Sequence, residues 1–306
     1  MEGLCNKRRA SLSAQKNLYL FKESEKMRLK NMSDIAVIIL NYNGWKQSVE
    51  EMELCNKFLQ IDYGDIIIVD NASTDNSSVM LKNVQKDSEF ILLESKENKG
   101  YAAGNNLGMR YAYKKGYQYA WILNNDIVID DKDILNKIKE IFCKDAFVAV
   151  VNPDIYAPDG HMFNRDAKKP TFLDYTINIL GYKKQGRQVT DLGGYAYVYR
   201  PQGCCMMVDL KKMNEVNYMD EKTFLYVEEP ILAERLLAKG YKCACCLTAS
   251  IVHNHSKTVK STFKKNKIRK MKIRSFKYYL KEYRKFNPVQ VWICAAFDYL
   301  KWVVLE

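Results

Sequence analysis

The chain has 306 residues, 47% of them apolar and 27% charged, with only 14 Gly and 6 Pro. That composition excludes a disordered, collagenous or low-complexity protein, and the length supports a core that needs no disulfide or metal staple. The net charge of +12 is unevenly placed: residues 1–33 sum to +5, residues 34–256 to −4, residues 257–285 to +12 and the last 21 to −1. A basic excess invites an anionic partner, whether nucleic acid, membrane surface or ligand, and here it lies outside the large, slightly acidic middle.

Residues 1–33 are polar and basic, with weak helical periodicity through Leu18, Phe21 and Met27, and read as an extension. The pattern then changes. Ile35-Ala36-Val37-Ile38-Ile39-Leu40, Ile66-Ile67-Ile68-Val69, Phe90-Ile91-Leu92-Leu93 and Tyr119-Ala120-Trp121-Ile122-Leu123 are continuous apolar runs. Such runs suit strands buried on both faces of a parallel sheet. The first ends at Asn41-Tyr42-Asn43-Gly44, the second at Asp70-Asn71, the fourth at Asn124-Asn125-Asp126. Helical segments at 45–59, 77–86 and 105–115 separate them. This alternation predicts an α/β layered domain. Ligands of open α/β sheets bind beyond the carboxyl ends of the strands, so Asn41, Asp70 and Asp126 are expected to converge. The second half is less regular: an apolar stretch at 196–208 containing Gly203, a helix over 228–239 stopped by Gly240, and a strand over 243–252 followed by His253-Asn254-His255.

The nine cysteines are odd in number and irregularly spaced. They suggest no pairing framework or zinc site, and read as buried thiols of a cytosolic protein. Lys7, Arg8 and Arg9 are not followed by the apolar run of a secretory signal, and no stretch is long and apolar enough to span a bilayer.

Several segments carry chemistry. Asp70, at a strand end, can accept hydrogen bonds from a base or ribose; Asp75 or Ser77 can instead cap the next helix. In Asn98-Lys99-Gly100-Tyr101-Ala102-Ala103-Gly104-Asn105-Asn106-Leu107-Gly108, three glycines lead into a helix whose amides suit a phosphate or sugar. Neither the Rossmann spacing nor a P-loop is present. Asp126 can hold a hard divalent cation or simply close a turn. Glu228 and Glu229, ahead of Pro230, either favour the helix dipole or supply a general base. His253 and His255 are two of the chain's three histidines, and their spacing alone assigns neither of them to a metal.

In this order the segments resemble the family 2 glycosyltransferases, best the bacterial rhamnosyltransferase-like branch, over residues 34–256. The resemblance implies a GT-A fold: a mostly parallel central sheet flanked by helices, with a Rossmann-like nucleotide half and an acceptor half. It implies that Asn41, Tyr42 and Asp70 contact the nucleotide, that Asn98, Gly100 and Asn105 line the donor pocket, and that Asn125 joins that set. Asp126 and His253 would hold Mg²⁺ or Mn²⁺, and Glu229 falls at the family's catalytic carboxylate, with Glu228 as the alternative base. Three departures stand out: the metal motif keeps only its last acid, the base is Glu rather than Asp, and Ile231 replaces a second Asp. The implied activity is inverting transfer from a nucleoside-diphosphate sugar to a glycan or lipid-linked acceptor in polysaccharide assembly. The competing reading is an inactive or regulatory sugar-nucleotide-binding subunit.

Three regions follow: a basic extension (1–33), a catalytic domain (34–256) and a basic, aromatic C-terminal segment of helices (257–306). The last interleaves bases with Phe276, Tyr279 and Tyr283, breaks at Asn287-Pro288, and continues with Trp292 and Trp302. It reads as an anchor on an anionic membrane at the inner face of the cell, with packing on the catalytic domain as the alternative; no nucleic-acid module is visible.

Overall fold

The computed structural model describes residues 33–177, 189–254 and 265–305. The extension 1–32, His255 and the basic residues 257–264 lie outside the described residues. Strands β1 (Ile35–Asn41), β2 (Ile66–Asp70), β3 (Ile91–Glu94) and β4 (Tyr119–Leu123) form the parallel half of one sheet in the order β3-β2-β1-β4. These strands do not alternate polar with apolar residues, because helices cover both faces of the sheet: β2 is buried at all five positions. Helices α1 (Trp45–Lys57), α2 (Ser77–Asp87) and α3 (Tyr101–Lys115) make the crossovers. α3 lies close on β1, since a β-carbon at Gly104 would come within 2.4 Å of Leu40 Cδ1 and one at Gly108 within 2.7 Å of Ile38 Cγ2.

After a short β5 (Ile127–Val128), α4 (Ile134–Lys144) buries Ile134, Ile138, Ile141 and Phe142 on a single stripe. β6 (Val148–Tyr156), β7 (Tyr195–Val198), β8 (Cys205–Asp209) and β9 (Lys242–His253) complete the sheet. β8 runs antiparallel between β4 and β6, and β9 pairs with β6, β7 and β5. The stretch 196–208 is thus two strands, and β6 is an element that the sequence reading did not identify, although Val148-Ala149-Val150-Val151 is a buried apolar run. Seven of the eight cysteines among the described residues are buried, in keeping with small core thiols.

Helices α5 (Leu210–Glu215) and α6 (Glu228–Leu237) precede β9, and α7 (Lys265–Glu282) and α8 (Pro288–Leu305) follow it. Asn287 caps α8 reciprocally with Gln290, at 2.9 and 3.0 Å, and Pro288 takes the first helical position. α7 buries Phe276, Tyr279 and Leu280 in a cluster with Ile231 and Cys294. Tyr278 and Tyr283 both donate to Asp220, and Ser275 donates to the carbonyl of Leu225. The C-terminal helices therefore pack on the same unit as the sheet. Among the described residues no helix is long and apolar enough to cross a membrane.

Candidate active site

The parallel register sets Asn41 opposite Asp70 at the carboxyl ends of β1 and β2. A hydrogen-bonded chain ties these ends together: Asn125 Nδ2 donates to Ser48 Oγ (3.0 Å), Ser48 Oγ to Asn41 Oδ1 (2.9 Å), and Asn41 Nδ2 to Asp70 Oδ1 (2.7 Å). Ser73 closes the chain by donating to Asp70 through both its hydroxyl and its amide. Asn41, Ser48 and Asp70 are buried, so satisfying one another removes the penalty of enclosing them. Ser48 was not anticipated; only its place on the first helical turn after Asn41 hints at it. Tyr42 follows directly, half-buried. Asp75 accepts from the Ser77 amide at 2.9 Å, which fits its capping reading.

The glycine segment behaves differently from a ligand cradle. Gly100 has φ +96°, and a β-carbon there would sit 1.9 Å from the carbonyl oxygen of Phe224. The Gly100 amide donates to Asn98 Oδ1 (2.9 Å) and the Tyr101 amide to Phe224 O (3.1 Å). The close approach required here is thus between two parts of the chain. Asn105 is buried and donates to Tyr101 O, and Asn106 clamps the segment beyond it through both Met219 backbone groups, at 2.9 and 3.0 Å.

The second half supplies a pair of adjacent carboxylates. Tyr226 and Val227 both have left-handed backbones (φ 74° and 62°) immediately before α6. A β-branched residue rarely adopts this conformation, and such strain persists only where surrounding structure enforces it. It delivers Glu228 and Glu229 to the first turn of α6. Glu228 is buried; desolvation, then the charge of Glu229, pushes its carboxyl up to about 8. Glu229 is half-buried, and its Oε1 accepts from the Gly203 amide at 3.3 Å. Tyr101 donates to Gly203 O at 2.6 Å. Behind this turn, buried Asn152 of β6 donates to the carbonyls of Gln202 and Cys205 and accepts from the Gln202 amide.

Antiparallel pairing of β5 with β9 puts Ile127 opposite His253. His253 Nε2 lies 3.2 Å from Asp126 Oδ1, and neither buried carboxylate oxygen of Asp126 accepts a hydrogen bond among the described residues. Among those residues no cluster of three or more His, Cys, Asp or Glu side chains is poised for a metal. Asp126 and His253 thus offer two adjacent donors, and any cation held there would take the rest of its shell from a ligand and water.

A cavity of about 410 Å³ is lined by Asn124, Gly203, Glu228, Glu229 and His253, with Phe276 of α7. Asn41, Asp70 and Asn125 form the adjoining strand-end network rather than that lining, and Asn98, Gly100 and Asn105 organise the loop at the start of α3. Tyr101 and Asn152 were not anticipated as parts of the site, because their partners are remote in sequence.

The comparisons agree with this architecture. A hexosyltransferase named for low-salt glycan biosynthesis, Agl10 of Haloferax volcanii, is 23% identical over 243 residues, 77% of this chain and 72% of that protein. The poly-β-1,6-N-acetyl-D-glucosamine synthase of Staphylococcus aureus strain COL is 23% identical over 112 residues, so the chain spans only 26% of its length. Among solved structures, the mannosyltransferase PcManGT of Pyrobaculum calidifontis, in complex with GDP-Man and Mn²⁺, superposes with a TM-score of 0.53 at 14% identity, covering 92% of this chain and 76% of that one. The sequence pattern described as Glycosyl transferase family 2 matches residues 36–204. More than half of the chain carries that pattern, on the fold the family requires: the protein belongs to glycosyl transferase family 2.

Proposed function

We propose that this glycosyltransferase moves a hexosyl or deoxyhexosyl group, with inversion, from a nucleoside-diphosphate sugar to a hydroxyl of a glycan or lipid-linked acceptor in polysaccharide assembly. The observation that carries the reading is one cavity lined by both the Glu228-Glu229 pair and His253, with Asp126 at 3.2 Å from that histidine. Glu229 takes the proton from the acceptor hydroxyl as its oxygen attacks the anomeric carbon. Glu228 is a poor base at neutral pH because burial keeps it protonated, which leaves Glu229 to act. The Gly203 amide orients the Glu229 carboxylate. Asn41, Tyr42 and Asp70 bind the nucleotide from the strand ends, with Asn125 behind them and the Asn98, Gly100 and Asn105 segment shaping the donor side. Asp126 and His253 would hold Mg²⁺ or Mn²⁺, which when bound supplies charge for the departing diphosphate.

The H. volcanii relative, named a hexosyltransferase, supports a hexosyl donor; the deoxyhexosyl alternative rests on the resemblance to the rhamnosyltransferase-like branch alone. The GDP-Man and Mn²⁺ bound by the Pyrobaculum protein support a nucleotide sugar with a divalent cation. We place the acceptor at the inner face of an anionic membrane. A thermal-shift screen of nucleotide sugars with Mn²⁺ or Mg²⁺ identifies the donor, and transfer is then assayed with Glu229→Gln. Loss of transfer with donor binding retained is the expected result. Full transfer by that variant refutes the assignment of the base, and donor binding with no transfer by the native protein favours a regulatory subunit.

A further inference from the structure

Helix α7 carries eight Lys and Arg residues among its eighteen and a single acid, Glu282. They are not spread evenly. Lys267, Lys270, Arg274, Lys277 and Lys281 recur at alternating steps of three and four residues, which places them along one stripe, and all five are exposed. Ser275, Phe276, Tyr279 and Leu280, on the opposite side, are buried against the domain. α8 is divided in the same way. Cys294 and Ala295 are buried, whereas Val289, Trp292 and Leu300 are exposed at 66%, 68% and 48%. The two helices contact one another and both present their inner sides to the same domain. Their outer sides therefore make one surface, a row of bases beside a row of apolar and aromatic side chains.

We infer that the outer surface of α7 and α8 docks on an anionic lipid bilayer. The row of bases matches anionic headgroups, and each Lys or Arg near such a surface strengthens binding severalfold. A purely electrostatic partner such as nucleic acid gives no use to Val289 and Leu300, while the boundary of a bilayer takes up aliphatic chains and favours Trp and Tyr. Exposing a Trp to this extent costs apolar burial that a bilayer restores. The inner sides of the same helices reach the reaction cavity, because Lys272 and Phe276 of α7 and Asp298 of α8 line it. A single layer of helices thus lies between that surface and the cavity, which suits an acceptor carried by lipid. This surface deepens the membrane location proposed above, and lipid binding without donor or acceptor distinguishes its failure from that of the transfer reaction.

The test is co-sedimentation of the full chain with vesicles of phosphatidylcholine alone and of phosphatidylcholine mixed with phosphatidylglycerol. Sedimentation with the mixed vesicles only is expected. Replacing Lys270, Arg274 and Lys277 together by Gln should weaken it roughly a hundredfold, about fivefold for each base. Trp292→Ser should weaken it roughly tenfold. These side chains are exposed, so circular dichroism and melting should match the native protein. Failure of the full chain to sediment with mixed vesicles overturns the inference. So does native-like sedimentation of both variants, or duplex DNA binding more tightly than the mixed vesicles.

Discussion

The Gly203 amide donates to Glu229 Oε1 at 3.3 Å, and a β-carbon added at Gly203 would lie 3.1 Å from that oxygen and 2.8 Å from the Tyr101 hydroxyl. One residue without a side chain therefore holds the proposed base and leaves it room. Gly203→Ala should displace Glu229 while leaving the fold in place, since the crowding atoms end side chains. The expected outcome is a fall in kcat on the order of 100-fold with melting within a few degrees of native. Unchanged kcat would show that Glu229 is not held by this contact.

The Glu228 carboxyl is raised from an ordinary value of 4.5 to about 8. The folded chain then binds more protons than the unfolded chain between these values, so this group favours folding at low pH and its contribution is lost as pH rises towards 8. The slope approaches ~1.4 kcal/mol per pH unit within that window. Glu228→Gln mimics the protonated acid and should flatten the fall in melting temperature across it, while retaining transfer near neutral pH. An equally steep fall in the variant would assign the pH dependence to other groups.

Gly100 combines φ +96° with a neighbouring carbonyl oxygen that would lie 1.9 Å from any β-carbon. That oxygen belongs to backbone and cannot swing aside. Gly100→Ala should cost about 3 kcal/mol or more, a drop in Tm on the order of 10 °C. Denaturant unfolding measures this directly.

Asp126 holds two buried oxygens that accept no hydrogen bond among the described residues. With the proposed metal role, Mn²⁺ together with a nucleoside diphosphate should raise Tm by several degrees, since binding at 100 times Kd adds about 2.7 kcal/mol. Asp126→Asn should abolish most of that rise while melting near the native temperature without ligand. A rise of full size in the variant would place the cation elsewhere.

Sequence by itself determined the parallel half of the fold. Four apolar runs flanked by helical segments can be buried on both faces only in such a sheet, so β1 to β4 and the polar residues at their ends were legible, including Asn41, Asp70 and Asp126. The first helical turn of α6 likewise announced Glu228 and Glu229 as neighbours. Tertiary structure alone decided what these residues meet. Antiparallel β8 sets Leu123 against Cys205, and β5 sets Ile127 against His253, contacts across 82 and 126 positions that no local pattern encodes. β6, whose apolar run directly after α4 was readable, places Asn152 behind the Gly203 turn. The glycines before α3 promised a close backbone approach; only the folded chain shows that Phe224 fills it. The charge excess pointed to the C-terminal segment, but the division of α7 into a buried side and a basic side depends on what the helix packs against. Local pattern records the period of burial, whereas register between distant strands is fixed by which pairing buries both.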